Sequence, residues 1–300
     1  MFADRLLTLI EEKSTPCIAG LDPDFSLLPQ DFVQERAAGP DSAAWRCEVI
    51  FDYNKMVIDS IADLVPAIKP QSAYYEVYGV HGAELLAKTA AYARSKGLLL
   101  ILDGKRGDIG STSAAYASAY LAKNPPRDHE YDCMTLNPYL GDDSLQPFVD
   151  VCQKDGKGVF ICLLNSNPGG IRLQTMDCGG VKFYEVIARM IADLAGDAVG
   201  ARGFSSIGAV VGATTGSTAT HIRNLLPKSI FLVPGLGAQG GDLDTIRCCF
   251  HADGTGAVVS SSRSIMYPQR YGWEATKDHA TAVRGAMLAN IAAIRQVIGR

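Results

Sequence analysis

The chain has 300 residues, of which 47% are hydrophobic and 20% are charged, a composition typical of a globular protein with a large core. Its formal net charge is −4, so it offers no broad basic surface for nucleic acid or for an anionic membrane. A small anionic substrate would therefore have to be bound by local positive charge.

The cysteines and the N-terminus indicate where the protein resides. Cys17, Cys133 and Cys162 lie in apolar segments, where a thiol packs as a small hydrophobic group, and no C-x-x-C pair occurs. A chain of this length does not need disulfides, so we expect a reduced, cytoplasmic protein. The segment Met1 to Lys13 has the pattern of an amphipathic helix and not of a signal peptide. No apolar segment approaches the length of a membrane span, and the histidines lack metal-ligand spacing, so we expect no metal site.

The chain repeats one unit, in which a short apolar segment is followed by a turn and a helical pattern. The predicted strands are Thr15–Leu21, Ala67–Lys69, Leu98–Leu102, Cys133–Leu136, Gly158–Leu164, Ile207–Val211, Ile230–Val233 and Ala257–Ser260. The predicted helices are Trp45–Leu64, Gly82–Lys96, Ser111–Ala122, Ser144–Gln153, Val181–Val199, Thr218–Leu226, one from Asp242, and Glu274–Ile298. These units predict an α/β fold, a single (β/α)8 TIM barrel over residues 1–300. A doubly wound open sheet is the alternative.

Three charged residues follow the third predicted strand in the pattern D-x-K-x-x-D. Asp103 and Lys105 are two positions apart, so in a continuing strand their side chains point to the same side, and Asp108 comes three residues later. In a barrel the chemistry lies at the carboxyl ends of the strands. Burying charge is costly unless the charges pair and serve a function. The pattern therefore predicts a site, with a surface salt bridge as the alternative.

Polar residues follow most of the other predicted strands as well. Lys69 lies within a short apolar strand, where a lysine is rarely buried without a partner. Asp22 could instead form an Asx turn, and Asn137 before Pro138 fits turn chemistry. The remaining strand-end residues are Ser166, Thr214 and Arg263.

The segment Pro234–Gly241, PGLGAQGG, contains the G-x-G-x-x-G pattern of dinucleotide-binding loops. Rossmann folds that bind NAD have an acidic residue about 20 positions later. This chain has Ser260–Arg263 at that distance. An arginine there could serve NADP, but too little sequence follows for a nucleotide-binding half. Barrels often bind phosphate in the loops after strands seven and eight. We therefore interpret the glycines and Arg263 as a site for a phosphate monoester.

Taken together, these motifs resemble the orotidine 5′-monophosphate decarboxylase family. The resemblance lies between Cys17 and Tyr267, and its motifs are GLDPD, IKPQ, D-x-K-x-x-D, NSNPGG, PGLGAQGG and SRSI in this order. The long connection from Phe25 to Trp45 is similar to the longer bacterial branch, although Ser262 stands where compact members usually have Gly. The resemblance implies a (β/α)8 barrel that decarboxylates orotidine 5′-monophosphate to uridine 5′-monophosphate without a cofactor, the last step of de novo pyrimidine synthesis.

The resemblance also implies roles for the matching residues at the reacting end of the substrate. Asp22 and Lys69 would hold the ribose hydroxyls, and Lys69 would also pair with Asp103. Lys105 would donate the proton to C6 of the pyrimidine. The protein would have to stabilise the developing carbanion by fixed charges, because no cofactor motif supplies an electron sink.

Further roles implied by the resemblance concern the partner subunit and the rest of the nucleotide. Asp108 and Thr112 would reach into the neighbouring subunit's site in a homodimer. Ser166 would contact the pyrimidine edge and Arg263 would bind the phosphate. Gln239 would bridge base and phosphate, and the further binding positions would be Pro234 and Gly240.

Two other functions remain open. A Mg²⁺-dependent sugar-phosphate β-keto acid decarboxylase or hexulose-phosphate aldolase of the same barrel group shares D-x-K-x-x-D, but Gln239 suits a nucleotide better than a small sugar acid. A non-catalytic phosphate-binding barrel is the other, and it would have no need of Asp103, Lys105 and Asp108 together.

Overall fold

The computed structural model describes residues 1–36, 41–123, 130–196, 198–212, 216–235, 243–273 and 278–299. The strands in these ranges are β1 (Cys17–Leu21), β2 (Ala67–Pro70), β3 (Leu99–Arg106), β4 (Cys133–Leu136), β5 (Gly158–Leu164), β6 (Ser205–Val211), β7 (Ser229–Pro234) and β8 (Ala257–Ser261). The helices are α1 (Phe2–Lys13), α2 (Gln30–Gln34), α3 (Ala43–Ile61), α4 (Ala73–Glu76), α5 (Gly79–Ser95), α6 (Gly110–Tyr120), α7 (Asp142–Asp155), α8 (Pro168–Gln174), α9 (Phe183–Ala195), α10 (Gly216–Leu225), α11 (Leu243–Arg247), α12 (Arg263–Met266) and α13 (His279–Ile298). Short 3-10 turns cover Phe25–Leu27 and Pro268–Tyr271.

The strands of the described residues form one closed parallel barrel in chain order. Each strand pairs with the next, and β8 closes the barrel by pairing with β1, with Cys17 opposite Val259. Parallel pairing requires a crossover between successive strands, and the helices provide it. The predicted (β/α)8 barrel is confirmed, and the alternative of an open doubly wound sheet is wrong.

Several element boundaries differ from the predicted ones. Strand β3 continues to Arg106, beyond the predicted end at Leu102, because its later residues still bond to both neighbours. Asp103 bridges to Gln71 after β2, and Arg106 pairs with Leu136 of β4. Helix α9 ends at Ala195 and not at Val199, since Gly196 leaves the helical conformation with a φ of 49°. Helix α8 was not predicted. The predicted helix start at Asp242 and the start at Glu274 lie outside the described residues.

Alternation along the strands divides their side chains between the barrel interior and the surrounding helices. Leu99 and Ile101 of β3 point inward, whereas Leu100 and Leu102 pack beneath the helices. Asp103 lies two positions after Ile101, so its side chain also points into the barrel. Apolar packing thus fills the lower barrel, and charge begins at its upper end.

Helix α1 covers the floor of the barrel, at the amino ends of the strands. The predicted amphipathic helix is confirmed, and its buried face includes Phe2, Leu6 and Ile10. The Phe2 ring lies edge-on to Phe160, with the ring centroids 6.1 Å apart. Gly158 faces this ring, and a Cβ at that position would lie 2.3 Å from it. The floor is therefore closed by apolar contact.

The described residues contain no helix with the length and apolarity that crossing a membrane requires. The cysteines are free thiols, and Cys17, Cys133 and Cys162 are buried in the strands, as predicted. Burial raises the pKa of Cys17 to about 11 and that of Cys162 to about 11. These thiols therefore stay protonated and pack as apolar groups.

Candidate active site

A cavity of about 350 Å³ opens at the carboxyl ends of the strands. Its walls bring together predicted site residues from several strands, which are Asp22, Lys69, Asp103, Lys105, Ser166, Pro234 and Arg263. These positions are far apart in the sequence and meet because parallel strands end at one face of a barrel. We call this cavity the mouth.

A carboxylate held between two lysines forms the centre of the mouth. Lys69 Nζ donates to Asp103 Oδ2 at 2.5 Å, and Lys105 Nζ donates to Asp103 Oδ1 at 2.6 Å. The Lys69 side chain is 8% exposed and that of Asp103 10%, whereas 46% of the Lys105 side chain is exposed. Lys105 is therefore the ammonium that a ligand can reach, and Lys69 is the buried counterion.

The charges of this cluster fix one another's protonation states. Burial alone would raise the pKa of Asp103, but the neighbouring charges of Lys69 and Lys105 outweigh it and hold that pKa well below its usual range. Burial alone would lower the pKa of Lys69, but the charges of Asp103 and Asp22 raise it above its ordinary value. Asp103 is thus an anion and Lys69 a cation at neutral pH.

The backbone at Lys105 is in the left-handed region, with a φ of 44°. Among non-glycine residues of the described chain only Ser14, at the end of α1, shares a positive φ. The strand register shifts at the same place, since Leu102 pairs with Met134 but Arg106 pairs with Leu136. Such strain persists only where the surroundings hold it, and it is concentrated at functional sites.

The wall of the mouth at the ends of β8 and β1 carries Arg263 and two polar atoms without partners. Asp22 Oδ1 and Ser262 Oγ are buried and have no hydrogen-bond partner within the described ranges. The Asx turn considered for Asp22 belongs instead to Asp24, whose carboxylate accepts from Ser26 N at 3.0 Å. Buried polar atoms without partners are rare in proteins, and here both belong to residues that line a cavity.

Asp108 and Thr112 do not line the mouth of their own barrel. The Asp108 carboxylate accepts from the backbone of Ile109 at 2.7 Å, just before α6 begins. Thr112 is exposed on the first turn of α6. Ile109, which follows Asp108, is 64% exposed, and Tyr139, in the loop after the neighbouring strand β4, is 72% exposed. Both predicted residues thus lie on a partly apolar surface beside the mouth.

The remaining predicted strand-end residues either lie outside the described ranges or have a structural role, and the mouth contains residues that were not predicted. Gln239, Gly240 and Thr214 lie outside the described residues. Asn137 makes a turn, with its side-chain oxygen accepting from Tyr139 N at 3.1 Å, as its alternative interpretation held. Residues at the mouth that the sequence interpretation missed are Gln71, Thr135, Asn165, Asn167, Ser260 and Ser262. The inward parity of β4 could have indicated Thr135, because Cys133 points inward two positions earlier.

Metal ligation does not fit the cluster at the centre of the mouth. Both oxygens of Asp103 already accept from ammonium groups. Over the described ranges, no group of at least three His, Cys, Asp or Glu side chains is arranged to hold a metal ion. The arrangement therefore favours chemistry by fixed charges over the Mg²⁺-dependent alternative.

A closed (β/α)8 barrel with a paired charge cluster at its carboxyl face defines a barrel enzyme in which the strand ends carry the chemistry. Comparison with known proteins gives the family. Residues 46–266 match the model of the orotidine 5′-phosphate decarboxylase / HUMPS family. The chain belongs to this family.

Similar proteins extend over nearly the whole chain. An orotidine 5′-phosphate decarboxylase of Rhodopirellula baltica is 40% identical over 277 residues, covering 90% of this chain and 89% of that protein. One of Clostridium perfringens is 35% identical over 299 residues, covering 99% of both. The structure of Leishmania donovani OMP decarboxylase superimposes with a TM-score of 0.75 at 26% identity, covering 100% of this chain and 99% of the other.

Proposed function

We propose that this protein decarboxylates orotidine 5′-monophosphate to uridine 5′-monophosphate and CO₂, as a carbon–carbon lyase of pyrimidine synthesis. The observation that carries the proposal is the Lys69–Asp103–Lys105 cluster at the mouth, with one exposed ammonium, in a chain of this family. The array suits a reaction that develops negative charge on the substrate next to a fixed cation.

The reaction needs a cation because its intermediate has no other stabilisation. The bond from C6 to the carboxylate breaks, CO₂ leaves, and the electron pair stays on C6 in the plane of the ring, where the π system cannot delocalise it. Lys105 would face this carbanion and transfer a proton from Nζ to C6, after which solvent reprotonates the amine. Asp103 would hold the Lys105 ammonium in place through its ion pair, and Lys69 would balance the charge of Asp103 from the other side.

Arg263 and the loop after β7 would bind the phosphate at the other side of the mouth. Among the described residues the Arg263 guanidinium has no ion-pair partner, so it is available for an anion. Asp22 Oδ1, which has no hydrogen-bond partner among the described residues, would accept from a ribose hydroxyl, and Lys69 Nζ would donate to a ribose hydroxyl oxygen. Ser166, Pro234, Gln239 and Gly240 would complete the nucleotide site. Binding energy from the phosphate can then lower the barrier at C6.

We also propose a homodimer in which each mouth receives Asp108 and Thr112 from the partner subunit. Both residues lie outside their own mouth, beside the exposed side chains of Ile109 and Tyr139. Exposed apolar groups at one place indicate a protein interface. A two-fold axis there would bring each Asp108 toward the other subunit's Lys105.

The activity is tested by mixing the protein with orotidine monophosphate and following its ultraviolet absorbance, with and without EDTA. We expect turnover that EDTA leaves unchanged and that Lys105→Ala nearly abolishes. Turnover that EDTA abolishes would point to the Mg²⁺-dependent alternative. Binding of the nucleotide without any turnover would point to a non-catalytic phosphate-binding barrel.

The shared site is tested by mixing two inactive homodimers, Lys105→Ala and Asp108→Ala. After subunit exchange about half of all dimers are mixed by random assortment, and in each of these one site carries both lesions and the other carries neither. Activity should then rise to about a quarter of the wild-type value. If mass spectrometry shows exchange and the activity stays flat, Asp108 acts within its own subunit.

A further inference from the structure

We propose that Thr135 is a positioning residue for the reaction, because its hydroxyl fixes both the backbone and the carboxylate partner of Lys105. This proposal rests on the proposed decarboxylase function and adds to it a residue that no sequence motif indicated. Thr135 lies on β4, is 1% exposed and lines the mouth between Asp103 and the barrel interior.

The irregular pairing of β3 with β4 leaves backbone N–H groups that need an acceptor outside the strand ladder. Leu102 pairs with Met134 and Arg106 with Leu136, so three residues of β3 lie opposite Thr135 alone. Extra residues in a bulge leave backbone groups without ladder partners. The N–H of Lys105 is one of these, and it donates to Thr135 Oγ1 at 2.9 Å.

The same hydroxyl also binds the central carboxylate. Thr135 Oγ1 donates to Asp103 Oδ1 at 2.9 Å, and that oxygen also accepts from Lys105 Nζ at 2.6 Å. The directions of these bonds are fixed, because an ionised carboxylate can only accept and a backbone N–H can only donate. Thr135, Asp103 and Lys105 therefore form a closed ring of hydrogen bonds.

This ring explains how Lys105 remains in an unfavourable backbone conformation. A φ of 44° is uncommon for any residue other than glycine and asparagine. The strain brings the Lys105 side chain back over Asp103 and leaves its ammonium toward the mouth. Without the hydroxyl, Lys105 could relax toward regular strand geometry, and its ammonium would move relative to C6 of the substrate.

The test compares Thr135→Val, which keeps the shape and removes the hydroxyl, with Thr135→Ser, which keeps the hydroxyl. Misplacing a catalytic group lowers turnover far more than it lowers binding. We expect Thr135→Val to lower kcat by about tenfold to a hundredfold with KM within about threefold of wild type. Thr135→Ser should retain kcat within about threefold. Urea unfolding midpoints show whether each variant is folded under the assay conditions.

A second measurement does not depend on activity. Amide hydrogen exchange of a peptide containing Lys105 should be slow in the wild type and in Thr135→Ser, and faster in Thr135→Val. A Thr135→Val protein with wild-type kcat and unchanged exchange would overturn the proposal. So would equal losses of kcat in the Val and Ser variants. Inactivity of the wild-type protein is a different result, because it refutes the decarboxylase function while the exchange data still report on the hydrogen-bond ring.

Discussion

The charged groups at the two ends of the barrel differ in how far the protein itself satisfies their hydrogen bonds. At the floor, Arg223 of α10 is 6% exposed, and its guanidinium donates to the carbonyl oxygens of Leu226, Ser229, Cys249 and Gly256 at 2.7 to 3.2 Å. At the mouth, Lys105 and Arg263 keep ammonium and guanidinium groups open to the cavity.

The charged groups of the floor are saturated by the protein itself. Lys157, 1% exposed, pairs with Glu130 at 3.0 Å and donates to the carbonyl of Tyr131. Asp132 accepts from Arg5 at 2.7 Å and from the backbone of Leu100 at 2.9 Å. Because the buried groups Lys157 and Asp132 have their partners within the protein, their role is to join elements of the fold.

The comparison teaches how to separate structural from functional charge in one barrel. A structural charge is buried with all its hydrogen bonds made, as at Arg223. A functional charge can still form further hydrogen bonds. Asp22 Oδ1 has no donor among the described residues, and the Lys105 ammonium is partly exposed. Changes at the floor should therefore alter stability, and changes at the mouth should alter activity.

The largest expected effect is that of Lys105→Ala at the mouth. Removing the proposed proton donor and stabilising cation should lower kcat about a thousandfold. The free energy of unfolding should fall by no more than about 1 kcal/mol, because Lys105 is half exposed and Asp103 keeps its ion pair with Lys69. Steady-state kinetics and urea unfolding measure both quantities, with Lys154→Ala on the exposed face of α7 as the control. A variant with more than a tenth of the wild-type kcat would remove Lys105 from the mechanism.

Arg223→Met at the floor should show the reverse pattern. Four carbonyls would lose their donor, so we expect a loss of about 3 kcal/mol in the free energy of unfolding with kcat and KM unchanged for the folded protein. Burial lowers the pKa of Arg223 to about 10, and within the described ranges this cation forms no salt bridge. A stable variant with reduced kcat would contradict the assignment of the floor to structure.

Arg263→Ala should weaken phosphate recognition and leave the fold intact. We expect KM for orotidine monophosphate to rise about thirtyfold, equivalent to about 2 kcal/mol for a lost charged hydrogen bond. The slow turnover of the phosphate-free nucleoside should not change. Arg270→Ala, a nearby exposed arginine, is the matched control. Equal losses on both substrates would show that Arg263 does not contact the phosphate.

The smallest effect concerns the pH dependence of stability at Asp103. Since Lys69 and Lys105 lower the pKa of Asp103 in the folded state, its charge stabilises the fold above the unfolded value of 3.8 and this contribution is lost as the pH falls below it. The stability difference between wild type and Asp103→Asn should shrink by about 1 kcal/mol between pH 5 and pH 3. The exposed Asp193→Asn is the control. A difference that grows on acidification would refute the depressed pKa.

The sequence predicted the barrel and the main positions of the mouth because both depend on patterns. Repeated strand–helix units specify the fold, and strand-end residues such as Lys69 and Asp103 meet once the strands are parallel. The continuation of β3 to Arg106 was missed, because charged residues were interpreted as the end of a strand, whereas Asp103 still bridges to Gln71 and Arg106 still pairs with Leu136. The alternation of β4 could have placed Thr135 in the mouth, but its hydrogen bond to the Lys105 N–H depends on a bulge, which no periodicity reveals.

The docking of helix α1 onto the floor has a consequence for the order of events during synthesis. The backbone N–H of Ala3 donates to Ser206 Oγ at 3.1 Å, and the Asp4 carboxylate accepts from Arg202 N at 3.0 Å. Helix α1 is made before β6 and must therefore wait until β6 has been synthesised before it can form these contacts. During that interval the apolar face with Phe2 and Leu6 is unprotected, and contacts so distant in sequence form slowly. Chaperone dependence should accordingly fall if α1 is moved by circular permutation to follow α13.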